Sequence, residues 1–390
     1  MYWSAGAIFF RFLLGLVLLV LPAGAYQEIS DNTLRGIPRP SNDFDIHTGA
    51  ILSPILRTRV PGTPGSAAVL DHFVGFFRTT LPNWKVEFQN STSKTPVHGD
   101  KEIPFVNFIA SRDPPWVAAG DVGRLNLVAH YDSKYTPEGF IGAIDSAAPC
   151  AMIMHAMRNI DEALTKKWNA LQAKRDAEAL RMERKGIQVL FLDGEEAFKT
   201  WSSKDSLYGA RSLASQWDEQ VNPALSTYRT PLASISLFVL LDLLGSKDPT
   251  IQSFFPTTHW AYQKIAVLET RFRELKQFKS SPKSPWFRDS SKSEYDLGKY
   301  MVGDDHVPFL TRGVEILHLI DMSSWGFPSV WHTLNDDGEH LDAPTTEDWS
   351  LLITAFAAEW MELEGYMETS SGNQGEPTVK QRSGSCKTEL

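Results

Sequence analysis

Acidic residues and histidines in this 390-residue chain recur immediately after short apolar segments. The clearest case is LFLDGEEAF, residues 190–198, in which the apolar run ends at Asp193 and a glycine separates it from Glu195 and Glu196. In an extended segment, successive side chains point in opposite directions. One glutamate of such a pair can therefore bind a metal ion while its neighbour faces a substrate as an acid and base.

Similar side chains follow other apolar segments or lie in loops between them: His130, Asp145, Asp242, Asp304 and His332. Each has a simpler structural explanation when it is taken alone; Asp145, for example, could cap the helix that follows it. Together they are harder to explain, because unpaired charges at the ends of buried strands are costly and a divalent cation would neutralise several at once. Aspartate, glutamate and histidine without nearby cysteine favour a catalytic zinc site with three protein ligands and one open position.

The apolar segments themselves are predicted to be strands: Arg124–His130, Ile187–Leu192, Ser236–Leu241 and Glu315–Ile320. They are short and almost continuously apolar, which is typical of strands buried on both faces of a parallel sheet. Helical patterns alternate with them, so we predict an α/β fold with a mostly parallel, twisted central sheet and helices on both faces. Ligands bind at the carboxyl ends of the strands in such sheets, and the acids and histidines collect at that edge.

Three helical patterns position these strands. Apolar residues share one face over residues 67–81, a charged amphipathic pattern covers Leu164–Gly186, and a third apolar stripe covers residues 345–364. Thr345 and Asp348 have the spacing of a weak capping box at the start of the third helix. The acidic loop Asn335–Asp342 is assigned no functional role.

The N-terminal segment has the features of a secretory signal peptide. Arg11 precedes the apolar stretch Phe12–Leu21 and a small-residue end, which predicts cleavage after Ala25; an uncleaved anchor is the less favoured alternative because the stretch is short for a membrane span. Asn90 begins a glycosylation sequon, and the chain ends in Lys-Thr-Glu-Leu, close to the tetrapeptide that returns proteins to the endoplasmic reticulum. We therefore expect a protein of the secretory pathway, in the endoplasmic reticulum lumen or secreted, without a membrane span after cleavage.

Composition limits the remaining possibilities. The chain is 42% hydrophobic and 22% charged, and its net charge of −9 offers no basic field for nucleic acid. Cys150 and Cys386 are predicted to be free thiols. The predicted organisation is a signal peptide (1–25), an N-terminal arm (26–60), a single α/β catalytic domain (61–367) and a disordered tail (368–390) in a monomeric protein.

Longer motifs resemble a known family. The chain is similar to the zinc aminopeptidases and, more closely, to the glutaminyl-peptide cyclotransferases, which share their fold. The matching motifs are AHYDSKY (129–135), GAIDSAAPCAM (142–152), FLDGEEAFKTWSSKDSLYGAR (191–211), LFVLLDLLGSKDPTIQSFFP (237–256), DDHVPFLTRGVEILHLI (304–320) and FPSVWHTLNDDGEHLD (327–342). The resemblance implies cyclisation of N-terminal glutamine, with glutamate as a second candidate, on peptides and proteins.

The resemblance also implies a role for each matching residue. A single Zn²⁺ would have three ligands: Asp145, Glu196 and His332. Glu195 would move a proton from the attacking α-amine to the departing ammonia. The remaining matches are two orienting acids and three apolar walls of the substrate pocket: Asp242, Asp304, Trp201, Phe327 and Trp331.

Two departures from the animal enzymes of this family are visible. Ala129 replaces the cysteine that is bonded there to the counterpart of Cys150, so that bridge is absent. The segment Asp321–Gly326 is longer and brings an additional Trp325, which we expect near the mouth of the pocket. These departures affect the expected shape of the pocket and its peptide preference, and they leave the metal chemistry unchanged.

Two other functions compete with this interpretation. A dizinc aminopeptidase of the same fold would use His130 and Asp242 for a second ion, and both residues are present. Trp201, Trp331, Asp304 and the segment Asp205–Gly209 favour the cyclotransferase instead. A catalytically silent relative that only binds peptides is the third possibility.

Overall fold

The computed structural model describes residues 26–298 and 300–369, and a six-stranded sheet forms its centre. The predicted signal peptide and almost all of the predicted tail lie outside the described residues. The strands are β1 (Lys85–Lys94), β2 (Glu102–Arg112), β3 (Gly123–His130), β4 (Lys185–Leu192), β5 (Ile235–Asp242) and β6 (Ile316–Ile320). Their order in the sheet is β1-β2-β4-β3-β5-β6. Strands β3 to β6 pair in parallel, whereas β1 and β2 form an antiparallel extension on β4.

Helices cover both faces of the sheet, which confirms the predicted fold class. They are α1 (Asp31–Gly36), α2 (Pro64–Thr80), α3 (Ala148–Lys174), α4 (Ala177–Met182), α5 (Tyr208–Glu219), α6 (His259–Glu274), α7 (Val307–Leu310) and α8 (Ala343–Trp360). One core joins α2, α3, α6 and α8 to alternate residues of the parallel strands, and a second core joins α5 and α7 to the opposite residues. In the part of the chain described here, no helix combines the length and apolar character needed to cross a membrane.

The predicted strands correspond to β3–β6 with small differences at their ends, but β1 and β2 were not predicted. Gln89 is the one buried residue of β1, so this edge strand has no apolar run to detect. In β2, Pro104 and Asn107 interrupt the apolar pattern. Sequence periodicity finds strands buried on both faces and misses a polar edge hairpin.

Two helix predictions were wrong at their boundaries. The pattern over Leu164–Gly186 is not one helix, because α3 ends at Lys174, Arg175 takes a left-handed conformation, and the Asp176 carboxylate caps α4. The predicted capping box of the last helix is also absent. Asp342 caps α8 by accepting from the Thr345 N–H, since a proline in the first turn sets an earlier start.

The N-terminal arm packs along α8 and reaches the edge of the sheet. Glu359 of α8 accepts from the Ile29 N–H at 3.1 Å, and Asp348 pairs with the Arg39 guanidinium at 2.6 Å. Further along the arm, Arg59 is completely buried. The arm therefore belongs structurally to the catalytic unit, although the boundary at residue 60 remains a prediction.

Strand β3 is the point at which the order of the parallel strands reverses. β4 lies on one side of β3 and β5 on the other. Successive strands are therefore added towards opposite edges of the sheet. Such a switch point opens a crevice at the carboxyl ends of the strands. His130 ends β3, Asp193 follows β4 and Asp242 ends β5, which places all three at this crevice.

Candidate active site

The adjacent glutamates are fixed by the turn that carries them. Asp132, just beyond β3, accepts from the N–H of Glu195 at 3.0 Å and from the N–H of Glu196 at 3.1 Å. Gly194 has φ +76°, and a Cβ there would lie 2.4 Å from the Phe105 ring. Only glycine fits this turn without strain, and the turn holds both glutamates, buried, at the edge of the sheet.

Asp145, Glu196 and His332 come together as a group whose potential ligand atoms lie within 4.8 Å of one another. His332 Nε2 lies 3.5 Å from Asp145 Oδ2 and 3.4 Å from Glu196 Oε1. Both of these oxygens are buried and have no hydrogen-bond partner among the described residues. The second oxygen of each carboxylate is already engaged, by His130 Nε2 at 3.0 Å and by Lys134 Nζ at 3.0 Å.

This arrangement matches what a bound cation would require. Each carboxylate keeps one free oxygen, and the two free oxygens face the same imidazole nitrogen. Burial and the neighbouring Glu196 raise the pKa of Asp145 to about 7, because two carboxylates share a site with little water. A cation bound between them would offset that cost.

The backbone around Asp145 is held by a buried arginine. The Arg59 guanidinium donates to the carbonyls of Ile141, Gly142 and Asp145, and the last two contacts measure 2.9 and 3.3 Å. On the other side, the Asp336 carboxylate accepts from the Ile144 N–H at 2.8 Å. The irregular turn before α3 is thus fixed by charged groups from two distant segments.

Asp336 has a structural role in the acidic loop Asn335–Asp342. The loop was assigned no functional role, but the Asp336 side chain is buried and supports the turn that carries Asp145. Nothing in the sequence of an acidic loop indicates which of its acids will be buried. The burial of Asp336 follows only from the tertiary contact with the turn after Gly142.

A second group, His130, Asp145 and Asp242, shares Asp145 with the first. The Ser146 hydroxyl and the Leu243 N–H, the latter at 2.9 Å, both donate to Asp242 Oδ1. His130 Nε2 lies 3.5 Å from the same oxygen. This carboxylate oxygen is already occupied by donors from the chain, unlike the free oxygens of the first group.

The pKa of His130 is set by the acids around it. Burial disfavours its imidazolium, but the surrounding carboxylates of Asp132, Asp145 and Asp242 outweigh burial and raise its pKa well above the usual value. Burial would raise the pKa of Asp242, and the hydrogen bond to His130 reverses this, so the net shift is downward. These acids therefore favour the protonated form of His130.

Glu195 lies in an unusually acidic neighbourhood. Burial raises its pKa well above the usual value, and Asp304, Glu196 and Asp305 raise it further, against the opposing effect of His130. The pKa of Asp304 is also raised, by burial and by the Asp242 carboxylate. A carboxyl group with a raised pKa can both accept and release a proton near neutral pH.

Asp304 is oriented by His318, whose Nε2 lies 2.8 Å from Asp304 Oδ2. His318 points from the otherwise apolar strand β6, and it was not predicted as a site residue. Asp304, His306 and His318 form a third group with ligand-type atoms close together. The signal for His318 was a single histidine inside the apolar run EILHLI.

A cavity of about 400 Å³ opens above these groups. Its lining includes Glu195 and the predicted aromatic residues Trp201, Phe327 and Trp331. The Phe327 and Trp331 rings lie 4.5 Å apart, and Trp331 stacks on the metal-site candidate His332 at 3.9 Å. Apolar side chains complete the wall: Leu243, Val302 and Ile320.

Other residues differ from the sequence prediction in their position relative to the site. Trp325 is 96% exposed and does not line this cavity, so its expected place near the mouth stays a prediction. Lys134, Asp132, Ser146 and Arg59 contact the site but were not predicted as site residues. Cys150 is buried as a free thiol, and its Sγ donates to the His130 carbonyl at 3.3 Å.

The fold and the site define the class of protein. Residues 118–357 match the model of Peptidase family M28, and the chain belongs to this family. The fold is also shared with a Zn-dependent exopeptidase from Parabacteroides distasonis, with a TM-score of 0.57 at 18% identity over 83% of this chain and 99% of the other.

Within this class the chain belongs to the glutaminyl-peptide cyclotransferases, as its motifs predicted. It is 36% identical to the glutaminyl-peptide cyclotransferase of Bos taurus, over 80% of this chain and 81% of the relative. The Drosophila melanogaster glutaminyl-peptide cyclotransferase is 35% identical over 88% and 89% of the two chains. The crystal structure of Macrostomum lignano glutaminyl cyclase aligns with a TM-score of 0.70 at 29% identity, covering 88% of this chain and 96% of the other.

Proposed function

We propose that this protein converts N-terminal glutamine of peptides and proteins to pyroglutamate and releases ammonia. The observation that carries the proposal is the position of Glu195. It is a buried acid that lines an aromatic cavity beside the group formed by Asp145, Glu196 and His332. The relatives named glutaminyl-peptide cyclotransferase support the same reaction.

Asp145, Glu196 and His332 would hold one Zn²⁺. The two unpaired buried carboxylate oxygens and the imidazole nitrogen supply the three-ligand set of a catalytic zinc site. When bound, the ion would polarise the side-chain carbonyl of the substrate glutamine and stabilise the negative charge that develops on its oxygen. His332 has φ +56°, a strained conformation for this residue type, and such strain is often kept where a side chain must point at a ligand.

Glu195 would transfer the proton that the reaction moves. As the α-nitrogen of the glutamine attacks Cδ, a bond forms between them and the nitrogen must lose a proton. When the bond from Cδ to the amide nitrogen breaks, that nitrogen must gain a proton to leave as ammonia. One carboxyl group that faces the cavity and has a raised pKa can perform both transfers.

Asp242 and Asp304 would orient the departing amide. Asp242 lines the cavity and is fixed by the Ser146 hydroxyl, while Asp304 is fixed by His318. The Asp242 carboxyl group can accept a hydrogen bond from the NH₂ of the glutamine side chain. This would hold the leaving nitrogen within reach of Glu195, which must also reach the attacking α-amine. Asp304 is buried outside the cavity lining and would act on the leaving group through its charge on Glu195.

The aromatic walls would fold the glutamine and exclude water. Attacking and attacked atoms belong to the same residue, so the enzyme must mainly hold them in a reactive geometry. Trp201, Phe327 and Trp331 line a cavity of about 400 Å³, near the small end of ligand pockets in general. Excluding water also prevents hydrolysis of the amide to glutamate.

The decisive experiment incubates a glutamine-initiated peptide with the protein and follows its mass. We expect the loss of one ammonia per peptide, and no loss after treatment with a chelator. Release of a free N-terminal residue would instead support the aminopeptidase alternative, and an unchanged peptide would support a silent binding protein. Metal analysis adds an independent criterion, with one zinc per chain expected for the cyclotransferase and two for the aminopeptidase.

We also propose that the protein enters the secretory pathway as a glycosylated monomer. Asn90 is exposed on the edge strand β1, where an oligosaccharide has room. Treatment of the protein purified from a eukaryotic host with an endoglycosidase should increase its mobility on a gel, and Asn90→Gln should remove that shift. Size-exclusion chromatography with light scattering tests the monomer, and microscopy of chains with and without the last four residues tests retention in the endoplasmic reticulum.

A further inference from the structure

A second cavity of about 430 Å³ lies next to the first. Phe327 lines both cavities, so its ring forms part of the wall between them. Consecutive residues also divide between the two, since Ile320 lines the first and Asp321 lines the second. The second cavity therefore lies within a few residues' reach of a peptide whose N-terminal glutamine occupies the first.

The second cavity contains a buried carboxyl group with spare hydrogen-bonding capacity. Asp321 is only 7% exposed, and its Oδ1 accepts from the Thr250 N–H at 2.8 Å. No described residue donates to its second oxygen. Burial raises the pKa of Asp321 to about 7, because no cation of the described chain pairs with it.

The rest of the lining is also acidic. Asp248 and Asp342 lie on the cavity wall together with two basic residues, the exposed Lys247 and His340. His340 Nδ1 already lies 2.7 Å from the Asp337 carboxylate. Serine and threonine side chains supply further oxygen acceptors. The cavity thus offers more acceptors and negative charge than donors and positive charge.

The segment that forms this wall is the long segment Asp321–Gly326 noted in the sequence. Met322 N–H donates to the Thr250 carbonyl at 2.9 Å, and Ser323 and Gly326 close a tight turn through paired backbone hydrogen bonds. Ser323 and Gly326 line the cavity, whereas the exposed Trp325 at the tip of the turn does not. Asp321, Ser323 and Gly326 of this segment therefore contribute to a cavity beside the active site.

We propose that the second cavity is a subsite for a lysine or arginine side chain at positions two to four of the substrate peptide, with Asp321 as its principal partner. The proposal rests on the proposed cyclotransferase function. An extended peptide advances at most about 3.5 Å per residue, so positions two to four cover roughly 10 Å beyond the glutamine. A long cationic side chain entering the cavity would meet the free oxygen of Asp321 and form a charge-assisted hydrogen bond.

The test compares matched glutaminyl peptides that carry arginine, alanine or glutamate at position two, three or four. We expect the arginine peptide to exceed the alanine peptide by roughly tenfold in kcat/KM at one of these positions, and the glutamate peptide to fall below both. In Asp321→Asn the ratio of arginine to alanine should fall to within about twofold of one, since the amide keeps the shape but loses the charge. Asp321→Glu, which retains the charge, should keep part of the preference.

Asp218→Asn is the matched control. Asp218 is a carboxylate on α5 that lines neither cavity, so its neutralisation should leave the arginine-to-alanine ratio unchanged. Equal kcat/KM for all peptides of the wild-type protein would overturn the subsite while leaving the cyclotransferase function intact. If no peptide loses ammonia, the proposed function itself fails. A preference that persists in a folded Asp321→Asn variant would assign the cation to another residue and overturn the role of Asp321.

Discussion

Two groups of potential metal ligands share Asp145, yet they differ in whether their carboxylate oxygens have hydrogen-bond donors. In the first, the free oxygens of Asp145 and Glu196 face His332 without a donor from the described chain. In the second, Asp242 Oδ1 already receives the Ser146 hydroxyl and a backbone N–H, with His130 close by. Residue types alone therefore do not distinguish the two groups, whereas the unmet hydrogen-bonding capacity of their carboxylate oxygens does.

Removing the histidine of the first group should have the largest effect. His332→Ala leaves two carboxylates without their imidazole partner, so we expect zinc to be lost and cyclisation to fall to the level of the chelated protein. The fall should exceed the roughly 10–100-fold typical of losing an outer partner of a metal site. Zinc content by mass spectrometry, measured with peptide turnover, checks this; a variant that retains both would exclude His332 as a ligand.

Glu195→Gln should separate proton transfer from metal binding. The amide cannot accept a proton from the α-amine, so turnover should fall by about 10²–10⁴-fold while zinc content stays at the wild-type level. Single-turnover kinetics of a glutaminyl peptide and metal analysis of the same sample provide the measurement. Full activity in this variant would refute the proposed acid–base role.

Arg59→Lys tests whether the N-terminal arm supports the first group. A lysine cannot span the three carbonyls that the planar guanidinium contacts, so the turn carrying Asp145 should loosen. We expect zinc affinity to weaken by roughly 10–100-fold, with activity restored by excess zinc. Titration of activity against free zinc checks this, and an activity loss that zinc cannot restore would indicate general misfolding instead.

Ser146→Ala tests the second group directly. Loss of the hydroxyl removes one donor from Asp242, and we expect turnover to fall by about tenfold with one zinc retained. Metal analysis is the informative measurement here. Binding of two zinc ions by this variant would mean that the hydroxyl alone keeps the second group from acting as a metal site.

Trp325→Ala should have the smallest effect. The side chain lies in solvent at the tip of the turn and lines neither cavity, so kcat/KM for an alanine-containing glutaminyl peptide should stay within about twofold of wild type. Trp201→Ala is a useful contrast, because Trp201 lines the first cavity although it is 44% exposed. Equal losses in the two variants would contradict the assignment of the pocket wall.

The parallel core of the fold was predictable because its physical signal is local. Strands β3–β6 are almost continuously apolar runs, and acids at their carboxyl ends could be found by inspection. The edge strand β1 could not be found in this way, since an exposed strand keeps few apolar residues. The break after Lys174 was missed because the same charged helical pattern continues on both sides of it.

The candidate site was predicted unevenly for a related reason. Sequence motifs identified Glu195, Glu196 and Asp145 as site candidates. The family resemblance supplied the aromatic residues of the pocket wall. Arg59 lies outside the matching motifs, and Asp336 lies inside one that gave no hint of its role, since both residues act through contacts with a turn more than 80 positions away in the chain. His318 was visible only as a polar residue in an apolar strand.

The sequence by itself determined the chemical inventory of this protein. It placed acids and histidines after buried strands, including the adjacent Glu195 and Glu196, and identified the family through its motifs. Only the tertiary structure decided which carboxylate oxygens remain free, which are taken by Ser146, His130 and Lys134, and that the segment after β6 builds a second cavity around Asp321. The physical reason is that residue types follow from local sequence, whereas the satisfaction of each polar atom depends on neighbours that distant segments bring to it.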